Sequence, residues 1–326
     1  MFSNKIFTIK TPTDFDAACM EIFRFQSEQN PVYADYLKHL KTDVSKIKQI
    51  SDIPFLPISF FKSHKILSKP AANIEKIFTS SGTGGSGTSR HYITNLNVYK
   101  KSFNKSFQHF FGNPEDYTIL ALLPGYLERS GSSLVYMAEE LIKQSQSELS
   151  GFFLHDFPKL NQHIKKAQNT SKKILLLGVS FALLDFFNDY TFNNPEMIVM
   201  ETGGMKGRRK EIVRHELHEL LARAAGTKKI CSEYGMTELL SQAYSVGNEQ
   251  FHTPPWMQIR IRDLYDPFSE TETSSTGGIN VIDLANINSC AFIETQDLGK
   301  KYPDGSFEVL GRFDHSEIRG CNLMAE

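Results

Sequence analysis

The sequence predicts an α/β fold, and two observations carry that prediction. From Ile74 onward short apolar runs alternate with amphipathic stretches, the pattern of strands with helices packed on them. Beyond residue 250 the chain turns to strand-like pieces separated by turns, which predicts a smaller β-rich subdomain.

Taken in order, residues 13–49 read as helical, with Phe15, Ala18, Met20, Ile22 and Phe23 in the first half and Tyr33, Tyr36, Leu37 and Leu40 after Pro31. The segment IPFLPISFFK at 53–62 carries two prolines that oppose a helix, so it is expected as an extended run laid on the surface. The alternation then runs KIFTSS, NVYKKSFNKSFQHFF, YTILALLP, SSLVYMAEELIKQS, KILLLGVS and MIVMETGG. The last strand-like pieces are WMQIRIRDLYDP, GGINVIDLA, CAFIETQDLG and GSFEVLGR. The expected division is a helical cap at 1–70, an α/β core at 71–250, a β-rich subdomain at 251–313 and a tail at 314–326.

The chain has 326 residues, with 36 Lys plus Arg against 37 Asp plus Glu. A formal charge of -1 gives no global field for nucleic acid or an anionic membrane, which leaves a small molecule or a protein as partner. The start, MFSNKIFTIK, has no apolar leader, and the stretch ILLLGVSFALLDFF contains Gly178, Ser180 and Asp185 and is too short to span a bilayer. Cys19, Cys231, Cys290 and Cys321 form no metal-type spacing and no disulfide framework, so a reducing cytoplasm is expected. The histidines show no HxxxH or HxH spacing, which argues against zinc.

Between Thr79 and Arg90 lies an unbroken run of Ser, Thr and Gly. Such a loop can aim several backbone N–H groups and hydroxyls at one anion, and phosphate is the expected guest. It is not a Walker A loop, which would need Lys near Thr88, and no clear helix follows in the register of a dinucleotide fingerprint. From composition alone a flexible linker stays open. His91, beside the loop, reads as a surface or packing residue before it reads as a base.

About 150 residues later the chain reads ICSEYGMTEL, followed by IETQDLG at 293–299 and GRFDHSEIRG at 311–320. With SSGTGGSGTSR these resemble, in order, four motifs of the AMP-forming adenylate ligases. The PFLPISFFK entry and the LPGYLERSGSS stretch are most similar to the LuxE-type acyl-protein synthetases, with phenylacetate–CoA ligases a more distant match. The resemblance covers roughly residues 50–326. It implies the large N-terminal body of the adenylate-forming ligase fold, ATP and Mg²⁺, and the following roles. Ser80, Ser81, Gly82, Thr83 and Gly84 would wrap the β- and γ-phosphates, with Arg90 adding charge. Tyr234 would stack on adenine, Thr237 would bind the α-phosphate and Glu238 would hold the metal, a hard cation that prefers one carboxylate plus phosphate oxygens. Asp297 would take the ribose hydroxyls with Arg312 assisting, and Gly203–Gly204 would let adenine and the acyl chain approach the backbone.

The implied activity is attack of a carboxylate, that of a fatty acid being expected, on the α-phosphorus, giving an acyl adenylate and pyrophosphate. Full-length superfamily members continue into a mobile lid carrying a lysine, whereas this sequence stops soon after Asp314, the hinge-like position. No lid domain is therefore expected, and the cation would come from Lys206, Arg208, Arg90 or a partner protein, or else adenylation would be slow. LuxE-type synthetases pass the acyl group to a cysteine near the C-terminus, which matches Cys321 beside Arg319. Its seven-residue distance from Asp314 is a reach of at most roughly 25 Å. An acyl-accepting reductase or acyltransferase is the implied protein partner.

Two other readings are open. Ser180 sits in G-x-S-x-A between strand-like and helix-like runs, the context of a nucleophile elbow, with Asp263 and His315 among the available partners for a hydrolase. Alternatively the chain is an ATP-independent acyl carrier or transfer subunit. The phenylalanines at 181–187 are core residues or the lining of an acyl tunnel.

Overall fold

The computed structural model describes residues 5–69, 71–80, 87–123, 131–203, 212–271 and 273–313. The chain opens with two helices, Pro12–Gln29 and Pro31–His39. Thr11 caps the first through a capping box with Asp14, and Pro12 opens it. Asn30 ends that helix and caps the next, its side chain accepting from the amides of Val32 and Tyr33, because Pro31 cannot continue the ladder. Phe15, Cys19, Ile22, Phe23 and Gln26 form the buried stripe, at helical spacing. Gln26 is in that stripe because its amide donates to the carbonyls of Asn286 and Ile287, both at 3.0 Å, and accepts from the Ala291 amide at 2.9 Å. Asn30 adds a 2.7 Å bond to the Ser289 carbonyl. The helical start is thus tied to the 286–291 turn.

The segment expected on the surface is instead built into the sheet. Strand β1 (Leu56–Pro57) pairs in parallel with β13 (Phe292–Lys301), and Leu56 is fully buried. The amide of Ile58 takes up the Glu294 carbonyl at 2.9 Å. A proline fits at such a sheet edge, where its missing N–H leaves no gap in the ladder.

Strands β2 (Lys76–Thr79) and β3 (Arg90–Ile93) form a separate antiparallel hairpin, with Thr79 opposite Arg90, so the Ser/Thr/Gly run is the loop of a hairpin. The helix Leu96–Phe111 follows. Strands β4 (Tyr117–Leu122), β5 (Gly151–Phe152), β6 (Lys173–Val179), β7 (Ile198–Thr202) and β8 (Ile230–Tyr234) are parallel and lie in the order β5-β4-β6-β7-β8. Every residue of β4 and β8 is buried, as expected for strands covered on both faces. The intervening helices are Ser133–Ser145, Phe157–Ala167, Ser180–Asp189 and Arg214–Ala225. Gly178 permits the sharp turn from β6 into the helix Ser180–Asp189, since a Cβ there would lie 2.7 Å from the Leu183 side chain.

Beyond β8 the sheet turns antiparallel through β9 (Ala243–Val246), β10 (Phe251–His252) and β14 (Phe307–Arg312) to β13, β12 (Thr276–Asp283) and β11 (Met257–Arg262). The strands of the β-rich stretch at 251–313 therefore do not form a sheet of their own. They extend the same hydrogen-bonded ladder. Among the described residues no helix is long and apolar enough to cross a membrane.

Candidate active site

Because β6, β7 and β8 are parallel, their carboxyl ends open on one edge, the place where open α/β sheets bind ligands. Ser180, Gly203 and Tyr234 all lie at that edge, and Gly203 has a φ of +68°.

The two most diagnostic motifs meet there. The Ser80 hydroxyl accepts from the Ser89 amide at 2.9 Å, closing the stem of the hairpin loop, and Ser89 lies beside the Glu238 carboxylate, whose pKa it lowers. One residue past Arg90, His91 is buried and its Nδ1 donates to the Thr237 carbonyl at 2.9 Å. A carbonyl can only accept, so Nδ1 carries the proton. Burial pushes the imidazole down to about 4, so it is neutral and its Nε2 accepts from the Ser289 hydroxyl at 2.8 Å. His91 is therefore a packing residue beneath the YGMTE segment. Arg90, on the alternate face of the strand, is exposed.

The YGMTE segment is held by its backbone. Besides His91, Asn286 donates to the Glu238 carbonyl at 2.8 Å. The fully buried Asp283 accepts from the amides of Leu240 and Ser241 at 2.8 and 2.9 Å and from the Ser241 hydroxyl at 2.6 Å. Burial pushes the Asp283 carboxyl up to about 6. Thr237 stays half-buried. Glu238 is 6% exposed and its carboxyl is raised by burial, against the lowering effects of the Ser89 hydroxyl and of Arg312. A desolvated carboxylate with one hydroxyl beside it is a natural receptor for a cation. Among the described residues no group of three His, Cys, Asp or Glu could hold a metal, so an ion on Glu238 would take its other ligands from a phosphate.

The two later motifs come to the same place. Asp297 faces Arg312 across β13 and β14, with Arg312 Nε 3.3 Å from Asp297 Oδ1, and the Tyr234 hydroxyl donates to Asp297 Oδ2 at 2.9 Å. Burial raises the Asp297 carboxyl, with Arg312 and the Tyr234 hydroxyl acting against it. The Tyr234 ring lies edge-on to Phe251 and Phe307, at 5.9 and 5.6 Å between centroids. The structure thus brings together Ser80, Tyr234, Thr237, Glu238, Asp297 and Arg312, with Arg90 exposed at the stem of the hairpin. Ser81, Gly82, Thr83, Gly84, Gly204, Lys206, Arg208 and Cys321 lie outside the described residues.

Sequence reasoning passed over a buried polar cluster under this edge. Glu201 of β7 accepts from the Ser180 hydroxyl at 3.0 Å and lies 3.5 Å from Arg214 Nε, while His218 Nε2 bonds the Ser232 hydroxyl at 3.0 Å. On the other face Glu233, next to Tyr234, accepts from the Thr202 hydroxyl at 2.5 Å. Burial pushes Glu233 up to about 7. The available signal was an acidic residue ending each of two apolar strands, MIVME and ICSE.

The cluster also answers the hydrolase reading. Ser180 does follow a strand and open a helix, but it is 1% exposed and its proton is committed to Glu201. Asp263 lies just past β11, eight strands from β6 in the sheet, and its carboxylate caps its own turn at Tyr265 and Asp266. His315 lies outside the described residues. No Ser–His–acid relay forms among the described residues. Phe181, Phe186 and Phe187 are buried in the core, where Phe186 packs on Tyr190 and Phe192.

Comparison with known proteins agrees with the resemblance read from the motifs. The family model described as acyl-protein synthetase, LuxE, matches residues 10–114. The long-chain-fatty-acid–luciferin-component ligase of Aliivibrio fischeri is 24% identical over 94% of this chain and 86% of its own length. Its counterpart in Vibrio harveyi is 21% identical over 92% of this chain and 84% of its own. A crystal structure of 2-hydroxyisobutyryl-CoA ligase with 2-HIB-AMP and CoA superimposes with a TM-score of 0.71 at 12% identity, covering 97% of this chain and 76% of that one. ATP-bound MatB from Rhodopseudomonas palustris gives 0.54 at 16% identity, covering 76% of this chain and 49% of that one. The fold is thus shared with adenylate-forming ligases, and the sequence similarity to the two luciferin-component ligases extends over nearly the whole chain.

Proposed function

We propose that this chain activates a carboxylic acid, the long-chain fatty acid of its luciferin-component relatives being the leading candidate, as an acyl adenylate at the expense of ATP, and passes the acyl group to a thiol. The observation that carries the proposal is the convergence of the two halves of the site. The hairpin reaches the YGMTE segment through His91, which donates to the Thr237 carbonyl, and Tyr234 reaches the Asp297–Arg312 pair.

In the first step a carboxylate oxygen of the acid attacks the α-phosphorus, the bond to the β-phosphate oxygen breaks, and pyrophosphate leaves. In the second a thiolate attacks the acyl carbon and AMP leaves. Two anions must meet in the first step, so catalysis rests on positioning and on charge neutralisation. The Ser/Thr/Gly loop receives the β- and γ-phosphates, with Arg90 beside it. The Thr237 hydroxyl faces the α-phosphate, its backbone held still by His91. The Asp297 carboxylate takes the ribose hydroxyls, a role in which the Tyr234 hydroxyl and Arg312 fix its orientation. Glu238 would hold Mg²⁺, which supplies charge neutralisation at the phosphates. Cys321 is the proposed thiol and Lys206 the proposed additional cation. A reductase or acyltransferase is the proposed onward acceptor.

The test is acid-dependent exchange of labelled pyrophosphate into ATP over a panel of fatty and aromatic acids, combined with intact-mass measurement after incubation with ATP, Mg²⁺ and the acid. Exchange with one acid class and an acyl adduct absent from Cys321→Ala are expected. Absence of exchange with every acid, with and without a partner reductase, would leave an ATP-independent carrier as the answer.

A further inference from the structure

A cavity of about 260 Å³ lies where the segment Ser51–Phe55 and the loop Pro267–Glu270 fold over one face of β12 and β13. Its floor is a cross-strand row. Arg260, Asn280 and Glu294 occupy successive strands in register, with Pro57 of β1 beyond them. Asn280 and Glu294 both line the cavity, and neither has its hydrogen-bonding capacity met.

Asn280 is 4% exposed and its Oδ1 accepts from Arg262 Nη1 at 2.9 Å, but its amide N–H₂ has no acceptor among the described residues. Glu294 accepts no hydrogen bond among the described residues, and its nearest cation, Arg262 Nη2, stands 3.7 Å away. Arg262 cannot close that gap without losing the bonds that its guanidinium donates to the Ile279 and Thr295 carbonyls at 3.0 and 2.8 Å. The other two carboxylates in the wall are satisfied. Asp52 accepts from the Lys48 and Gln49 amides, and Glu270 is clamped by Arg260. Ile53, Phe55 and Phe268 supply apolar wall.

Glu270 has both Arg260 and the charge of Lys301 beside it, whereas Glu294 has only Arg262 at 3.7 Å, so Glu294 is the less neutralised carboxylate in the wall, beside an apolar surface. One free amide donor and one half-buried carboxylate, with a single cation at 3.7 Å and no hydrogen bond among the described residues, define what would complement it. The volume lies just below the range of drug-sized pockets, which restricts the guest to a small molecule.

We propose that this cavity is a binding site for a small primary amine with an apolar body, its ammonium paired with Glu294, a neighbouring acceptor oxygen on the Asn280 amide, and its apolar part against Phe55 and Phe268. Glu294 lies on β13 three residues before Asp297, with Arg262 acting on both carboxylates, and the proposal does not depend on the chain being an adenylating enzyme.

Calorimetric titration of the full chain with phenylalaninol (2-amino-3-phenylpropan-1-ol) tests it, with 3-phenylpropanol and 3-phenylpropionate as neutral and anionic comparators. Saturable one-to-one binding of the amine is expected, at least tenfold tighter than that of either comparator and weakened at least tenfold in Glu294→Gln. Phe268→Ala alters a residue that is 61% exposed, so the fold should tolerate it, and it should weaken the amine several-fold. Circular dichroism of both variants confirms the fold. No saturable binding, equal binding of the neutral comparator, or amine affinity unchanged in a folded Glu294→Gln protein would overturn the proposal.

Discussion

Glu233 offers the sharpest test of the buried architecture beside the site, through the substitution Glu233→Gln. Its carboxyl is 7% exposed, has one hydrogen-bond donor in the Thr202 hydroxyl, and lies near the charge of Glu201. Desolvation is the largest effect on it, raising its pKa from 4.5 to about 7, and Glu201 raises it further. A carboxyl raised in the folded state binds its proton more tightly there than in the unfolded chain. Between pH 4.5 and 7 the folded protein therefore holds the extra proton, and stability falls as pH rises through that window and levels off above it. At about 1.4 kcal/mol for each pH unit, the wild type should lose up to about 3 kcal/mol across the window through this group alone. Glutamine resembles the protonated form, keeps a carbonyl for Thr202 and does not titrate. Guanidinium unfolding at pH 4.5, 5.5, 6.5 and 8 should show the two proteins nearly equal at the lowest pH. The variant should become the more stable by about 2–3 kcal/mol at pH 8. Taking the difference between the two proteins removes the other titrating groups. A stability difference that did not change with pH, or that favoured the wild type at pH 8, would refute the reasoning.

Further outcomes follow from the site. Glu238→Gln should reduce acid-dependent pyrophosphate exchange at least a hundredfold while leaving the unfolding midpoint unchanged or raised, because a neutral amide lifts the cost of a buried carboxylate. Tyr234→Phe removes the 2.9 Å bond to Asp297. A loss of about 1.5 kcal/mol there should raise the KM for ATP roughly tenfold in steady-state exchange assays. His91→Leu strips the Thr237 carbonyl and the Ser289 hydroxyl of their partner and should cost about 2 kcal/mol at pH 7. The wild-type imidazole is held down to about 4, so its stabilising contribution is complete above pH 6.5 and is lost as pH falls toward 4. The stability gap between the two proteins should narrow over the same range in denaturant titrations.

The parts of the site that were legible are local. SSGTGGSGTSR and YGMTE each place their chemistry within a few consecutive residues, so composition marked the loop as a phosphate candidate and the resemblance of the ordered motifs singled out Ser80, Tyr234, Thr237 and Glu238. Strand and helix order was legible for a similar reason, since YTILAL and KILLLGV are apolar at all but one position each and become β4 and β6. The burial of PFLPIS was not, because its prolines argue only against a helix and carry no mark of the open edge of β13 that Leu56 fills.

The sequence by itself determined the α/β class, the order of the motifs and the chemical type of each group in the cleft, because backbone preference and side-chain chemistry belong to each residue or its near neighbours. Only the tertiary structure decided which of those groups are desolvated and what holds them. His91 meets Thr237 from 146 residues away, and Asp283 meets Leu240 across 43. Desolvation and hydrogen-bond pairing arise only when remote segments close over a group, and they set the buried carboxyls of Glu233, Glu238 and Asp283 apart from the many others in the chain.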